Sequence, residues 1–356
     1  MEVRLADVKL TPLLHTVQRL KISDEEYFSS KYREYISNSR LKYINPDQDG
    51  SPSKYKNGIQ QETTRSLQLG SAIHEVFLQP ESFSLEEDLG RPSAKLGDVC
   101  DYAMKQRAEG KGIYDSIVLA CNEIGYYANS LTANRVKQII SKGFPYYVKS
   151  KIAGNTDKIV LSSKDREVCV NCLNSLNSHR GAMKLIRPTD IFGDAIASYN
   201  EDAIFMDVKC EYNGKSTILK LKMKADNWTI DENSKKLVLN DLKTTGKPIG
   251  FFMQDYGSFV HYHYARQMGM YMWMLFHLCK KEFNVDKTWN ISSNIIAVET
   301  VGENRAGVFR VSKSQLTAGK KEFQRLLKMV GVCQIEGFDD NIKFSSVSYT
   351  HLTLPT

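Results

Sequence analysis

The spacing of apolar residues shifts from a helical period to strict alternation as the chain proceeds. Between Ser66 and Leu78, the residues Leu67, Gly70, Ser71, His74 and Leu78 recur on one helical face, and Pro80 follows as a stop. The stretches Val99 to Ile140 and Lys164 to Ile186 also read as mainly helical, parted by the breakers Lys142-Gly143-Phe144-Pro145. Beyond Asp194 the period becomes two. Ile204, Met206, Val208 and Cys210 alternate with Phe205, Asp207 and Lys209, which predicts a strand over Ala203 to Cys210. In Thr217 to Asp226, Leu219, Leu221, Met223 and Ala225 face one way while Lys220, Lys222, Lys224 and Asp226 face the other. A polar turn, Asp231 to Lys236, then leads into the strand Leu237 to Lys243. A helix over about Ser258 to Cys279 and a strand at Asn294 to Thr300 complete an α/β pattern.

A hairpin closed on that polar turn pairs Ile230 with Leu237, Trp228 with Leu239, and Asp226 with Asp241. Two aspartates opposite each other repel unless a cation lies between them. Carboxylate oxygens suit a hard divalent ion, Mg²⁺ first, with Mn²⁺ as a substitute. Lys243, two residues after Asp241, returns its ammonium to the same face, where it can meet a phosphate oxygen or an attacking water. A solvated surface ion pair would produce the same three residues.

Composition narrows the field. The 356 residues, 42% hydrophobic and 25% charged, exclude a collagenous or wholly disordered chain. The longest useful apolar run, Gly269 to Phe276, falls far short of the roughly 20 residues that span a bilayer. The opening Met1-Glu2-Val3-Arg4 lacks the apolar core of a secretory signal, so a cytoplasmic protein is expected. A net charge of +7 permits a polyanionic partner without requiring one. Of the seven cysteines only Cys169 and Cys172 are close, within a helical run, which fits buried core thiols better than zinc or an iron–sulfur cluster. No Gly-x-x-x-x-Gly-Lys-Ser/Thr motif occurs, so no ATP-driven motor is expected.

The wider set of residues resembles the PD-(D/E)XK nuclease superfamily, in its RecB and phage exonuclease branch and near the RecE-like (exodeoxyribonuclease VIII-like) phage proteins. Asp226 stands at the first acidic position, and Asp241-Leu242-Lys243-Thr244-Thr245 forms the Asp-x-Lys-Thr-Thr motif. His74 in Gly70-Ser71-Ala72-Ile73-His74-Glu75 is similar to that branch's helix histidine. Tyr264, Gln267 and Tyr271 are similar to its Tyr-x-x-Gln-x-x-x-Tyr helix. Ser37 to Leu41, Leu78 to Phe83 and Val298-Glu299-Thr300 extend the resemblance from about Tyr35 to Cys333. The proline before the first aspartate is absent, since Ala225 precedes Asp226.

The resemblance implies a restriction-endonuclease-like α/β core: a central mixed sheet flanked by helices, with a helical N-terminal portion. Residues 1–60 read as a polar, tyrosine-rich segment and 61–345 as the nuclease domain with a helical insertion at about 95–190. The acid- and base-free tail 346–356 reads as non-native, like a frame running into a sequencing adapter. The resemblance further implies a metal held by His74, Asp226, Asp241 and the Leu242 carbonyl, with Lys243, Gln267 and Tyr271 completing the catalytic set. Glu201 is either an additional acid or a strand-flanking charge. Lys220, Lys222, Lys224, Thr244 and Thr245 would contact DNA. The implied activity is Mg²⁺-dependent exonucleolytic resection of duplex DNA ends for phage-type recombination, with a single-strand annealing protein and a homo-oligomeric ring as partners. A single-strand or structure-specific nuclease, or an inactive DNA-binding relative, would carry the same residues.

Overall fold

Seven strands form the central sheet of the computed structural model, which describes residues 1–58, 64–80, 84–88, 92, 94–143, 145 and 158–345. They are β1 (Lys9–Pro12), β2 (Gln18–Leu20), β3 (Ala197–Tyr212), β4 (Lys215–Asp231), β5 (Lys236–Thr245), β6 (Asn290–Glu299) and β7 (Ala306–Val311). The order is β7-β6-β5-β4-β3-β1, with β2 also paired to β3. Only β5 and β6 run parallel; every other pair is antiparallel. A parallel pair needs a crossover, and the helical stretch between Thr245 and Asn290 supplies it.

The chain divides into two units, one of Met1–Thr63 with Ser175–Thr356 and one of Thr64–Asn174. The first sixty residues thus belong with the sheet, to which they add β1 and β2. The first unit also holds α1 (Asp24–Phe28), α2 (Arg180–Ile186), α3 (Tyr264–Phe283) and α4 (Lys313–Glu336). Alternation sorts β3 and β4 into two faces. Ile204, Met206, Leu219, Leu221 and Met223 are buried in one core with Met268, Leu275 and Leu327 of α3 and α4. On the other face Phe205 packs with Tyr27 and Tyr32. The two helices approach through glycines: a Cβ on Gly319 would lie 1.8 Å from the Ala265 carbonyl oxygen, and one on Gly269 2.3 Å from the Lys320 nitrogen.

The second unit contains the helices Arg65–Leu78, Ala94–Ala108, Ile113–Ile124 and Thr132–Lys142 and most of Ser163–Ser178, with the parallel strands Ser84–Asp88 and Lys158–Ser162. Val99, Cys100, Ile117, Cys121 and Ile139 form its core. All seven cysteines are buried, Cys169 and Cys172 among them.

Among the element boundaries that differ from expectation are the starts of β3 and of α3. β3 starts at Ala197, because Ser198 to Asp202, which carry no apolar alternation, are ordered by pairing with β4. The helix expected over about Ser258 to Cys279 is broken: Ser258–His261 is a separate turn, and His263 is left-handed (φ 54°) before α3 begins. The tail 346–356, and Glu81, Ser82, Phe83 and Phe144, lie outside the described residues. Among the described residues, no helix is long and apolar enough to cross a membrane.

Candidate active site

The β4–β5 register is the one the hairpin predicts, with Ile230 opposite Leu237 and Trp228 opposite Leu239. Its last pair is Asn227 with Asn240, so the next position on each strand is Asp226 and Asp241. There the ladder gives way to a side chain: the Leu242 N–H donates to Asp226 Oδ2 at 2.7 Å. Lys243 Nζ lies 2.5 Å from Asp241 Oδ2 and 3.9 Å from Asp226 Oδ2, so its ammonium is the cation between the two acids. It also donates to the Leu242 carbonyl at 3.2 Å. From α3, Gln267 Nε2 donates to Asp241 Oδ1 at 2.9 Å.

A third acid stands on the neighbouring strand. Asp202 pairs with Ala225 and Asn200 with Asn227, while Glu201, left-handed at φ 55°, drops out of the ladder opposite Asp226. A non-glycine residue in that region is strained and worth explaining. Here the turn directs Glu201 towards Lys224, whose Nζ is 2.9 Å from Glu201 Oε2 and is also paired with Asp24 of α1. Three carboxylates on β3, β4 and β5 are therefore interleaved with two ammonium groups.

The electrostatics follow from enclosure. Burial raises the Asp226 pKa, against the pull of Lys243 and the Leu242 N–H. Burial, and then the Asp226 charge, raise Glu201 to about 7 despite Lys224. Burial alone would lower Lys243, but the Asp241 and Asp226 charges outweigh it and hold the ammonium well above its ordinary value. The two acids thus favour the charged form of Lys243. The Tyr264 ring centroid is 5.3 Å from Lys243 Nζ, and burial pushes the Tyr264 hydroxyl up to about 12. Tyr271, half-buried one helical turn beyond Gln267, is also raised well above its ordinary value, by burial and then by the charges around it.

The oxygen-rich donor set of Asp226, Asp241 and the Leu242 carbonyl fits a hard divalent cation, and it already gathers around a positive group. His74 is half-buried on the helix Arg65–Leu78 of the second unit.

The basic row is not an open track. Lys220 is exposed, but Lys222 is buried, donating to the Tyr27 carbonyl at 2.8 Å with the Tyr27 ring 4.4 Å away, and Lys224 is ion-paired. The aromatic residues near the N-terminus cover the face that alternation alone leaves bare. Thr244 is half-buried. Thr245 is buried: its hydroxyl lies 2.9 Å from Ser258 Oγ and accepts from the Lys247 N–H at 3.1 Å. Glu299 is buried away from the acids, accepting from the Ile249 N–H at 2.6 Å and from Arg305. Sequence reasoning missed Asp24, and nothing in its polar surroundings marks it.

The sheet and its acid cluster define a mixed α/β protein with a candidate cation site. No family model matches the chain, and no curated protein does. Among solved structures it is similar to a "putative exonuclease" from Eubacterium rectale, at 12% identity over 87% of this chain and 86% of that one, with a TM-score of 0.42. A likeness of that size carries no weight for the fold or the function.

Proposed function

We propose that the protein is a metal-dependent deoxyribonuclease that hydrolyses phosphodiester bonds at the Asp226–Asp241–Lys243 site. The observation that carries the reading is the convergence of two carboxylates and one lysine at the end of a hairpin whose register follows from the sequence. An isolated surface ion pair needs no such enclosure, yet Asp241 is only 1% exposed. Asp226, Asp241 and the Leu242 carbonyl would hold Mg²⁺ or Mn²⁺, with His74 as the further ligand that the family resemblance implies. A divalent ion bound there neutralises charge developing on phosphate oxygens.

The chain's own groups do the rest. The Leu242 N–H fixes Asp226 Oδ2, and Gln267 fixes Asp241 Oδ1, so neither acid has to reorganise. Lys243, held charged, binds a phosphate oxygen or a hydroxide rather than taking up a proton. Tyr264 and Tyr271 keep their hydroxyl protons.

The finer reading is an exonuclease of the RecE-like branch that resects duplex ends for an annealing protein, with no motor of its own and assembled as a ring in the cytoplasm of a phage host. Digestion of linear duplex, single-stranded and covalently closed circular DNA in Mg²⁺ tests it. The linear forms should shorten from labelled ends while the closed circle stays intact. Nicking of the circle at the same rate would remove the exonuclease assignment, and no cutting of any form in Mg²⁺ or Mn²⁺ would remove the nuclease.

A further inference from the structure

An aromatic row leads from the acid cluster to solvent. The Tyr264 ring lies beside Lys243, with Phe252, only 1% exposed, stacked on it at 6.0 Å and 20°. Tyr262 packs on Tyr264 at 5.7 Å with its plane tilted by 36°, and the exposed His261 ring meets Tyr262 edge-on at 4.7 Å. Tyr262 is 56% exposed, a large exposure for a ring only two contacts from a buried charge centre. The left-handed His263 separates the two tyrosines, breaking the helix expected there and letting Tyr262 project beside Tyr264.

The frame beneath these rings is built rather than loose. Ser258 Oγ is tied to Thr245 Oγ1 at 2.9 Å, and the Phe259 N–H donates to the Phe252 carbonyl at 3.0 Å. A Cβ on Gly257 would sit 2.0 Å from the Phe251 carbonyl oxygen, so only glycine closes this turn. From Lys247 to His263 the chain carries one lysine, one aspartate and two histidines against a run of aromatic residues. That surface has little charge for phosphates and exposes the flat rings of Phe251, Tyr256 and Tyr262. Unpaired nucleobases present the complementary face, since every base stacks on an aromatic ring whatever its sequence.

We propose that Tyr262, flanked by His261, is a stacking platform for an unpaired base of the strand whose phosphate is cut at Asp226 and Asp241, so that the protein takes its substrate strand locally single. This inference rests on the nuclease reading for its substrate, but its test does not need cleavage. A single-stranded oligonucleotide carrying 2-aminopurine near its end is titrated with the full-length protein in the absence of divalent ions, and fluorescence quenching reports stacking. Wild-type protein should quench the probe. Tyr262→Ala and Tyr262→Leu should each weaken that quenched complex about tenfold, the order of effect that stacking one base supplies. Tyr262→Phe, which keeps the ring, should behave as wild type, and so should Phe192→Ala, which removes an exposed ring on a different turn. Equal quenching by wild type, Tyr262→Ala and Tyr262→Leu would overturn the platform, as would strand binding by wild type with no quenching. The same preparations are then given Mg²⁺ and DNA. Cleavage without Tyr262-dependent quenching leaves the nuclease and removes the platform, whereas Tyr262-dependent quenching without cleavage in Mg²⁺ or Mn²⁺ leaves the platform and removes the nuclease.

Discussion

The Leu242 N–H donates to Asp226 Oδ2 at 2.7 Å, just past Asn227 and Asn240, the last residues paired between β4 and β5. A side-chain carboxylate thus takes a position that a strand carbonyl would otherwise hold, and the fold fixes the acid through its own backbone. Substitutions at Asp226 should separate structure from chemistry. Asp226→Asn keeps an acceptor for Leu242 and relieves like-charge crowding, so its stability in a denaturant titration should match or exceed wild type. Asp226→Ala leaves the Leu242 N–H without that acceptor and should lose about 1–3 kcal/mol. Both should lose DNA cleavage by about 10²-fold or more.

Lys243→Met removes the cation between Asp226 and Asp241. Breaking such a pair on one side typically costs roughly 3–5 kcal/mol, because the partner charges stay buried. Without Lys243 only the Leu242 N–H and Lys224 offset the burial that already raises Asp226, so the folded pKa rises further above the unfolded one. A raised carboxyl favours the folded state at low pH, and the deficit should therefore shrink as pH falls through the carboxylate range. Denaturant unfolding of both proteins across that range checks the sign.

A divalent ion held by folded protein alone stabilises it by about 2.7 kcal/mol at roughly one hundred times its dissociation constant. Mg²⁺ should raise the melting temperature of wild type, and Asp241→Asn should abolish that rise. His74→Ala should move the rise to higher Mg²⁺ if the imidazole is a ligand; an unchanged titration would return His74 to a packing role.

Lys222 is the pH-sensitive group of the covered face. Burial, and then the charge of Arg40, lower it from 10.5 to about 8. Between those two values the unfolded chain binds the extra proton, so wild-type stability should gain from this group as pH rises from about 8. Lys222→Met should lose that part of the slope, as thermal melts at a series of alkaline pH values would show.

The hairpin was legible because strand alternation and turn position together fix register, and register alone brings Asp226, Asp241 and Lys243 to one site. Gln267 was named by the family resemblance, since its helical position alone reads as an ordinary polar residue. Alternation also placed Lys222 opposite the main core, but it says nothing of what packs there, and the covering Tyr27 comes from 195 residues away. Asp24 and Lys224, 200 residues apart, meet for the same unreadable reason. The left-handed turns at Glu201 and His263 have no glycine to announce them, so the apolar run beyond Ser258 reads as one helix.

The central claim is metal-dependent phosphodiester hydrolysis by Asp226, Asp241 and Lys243, and its most direct test is cleavage of end-labelled DNA by purified wild type and Asp241→Ala. Wild type should release labelled product in Mg²⁺ and none in EDTA, with Asp241→Ala at least about 10²-fold slower in Mg²⁺. Equal cleavage by the two proteins, or wild-type cleavage that persists in EDTA, would contradict the account.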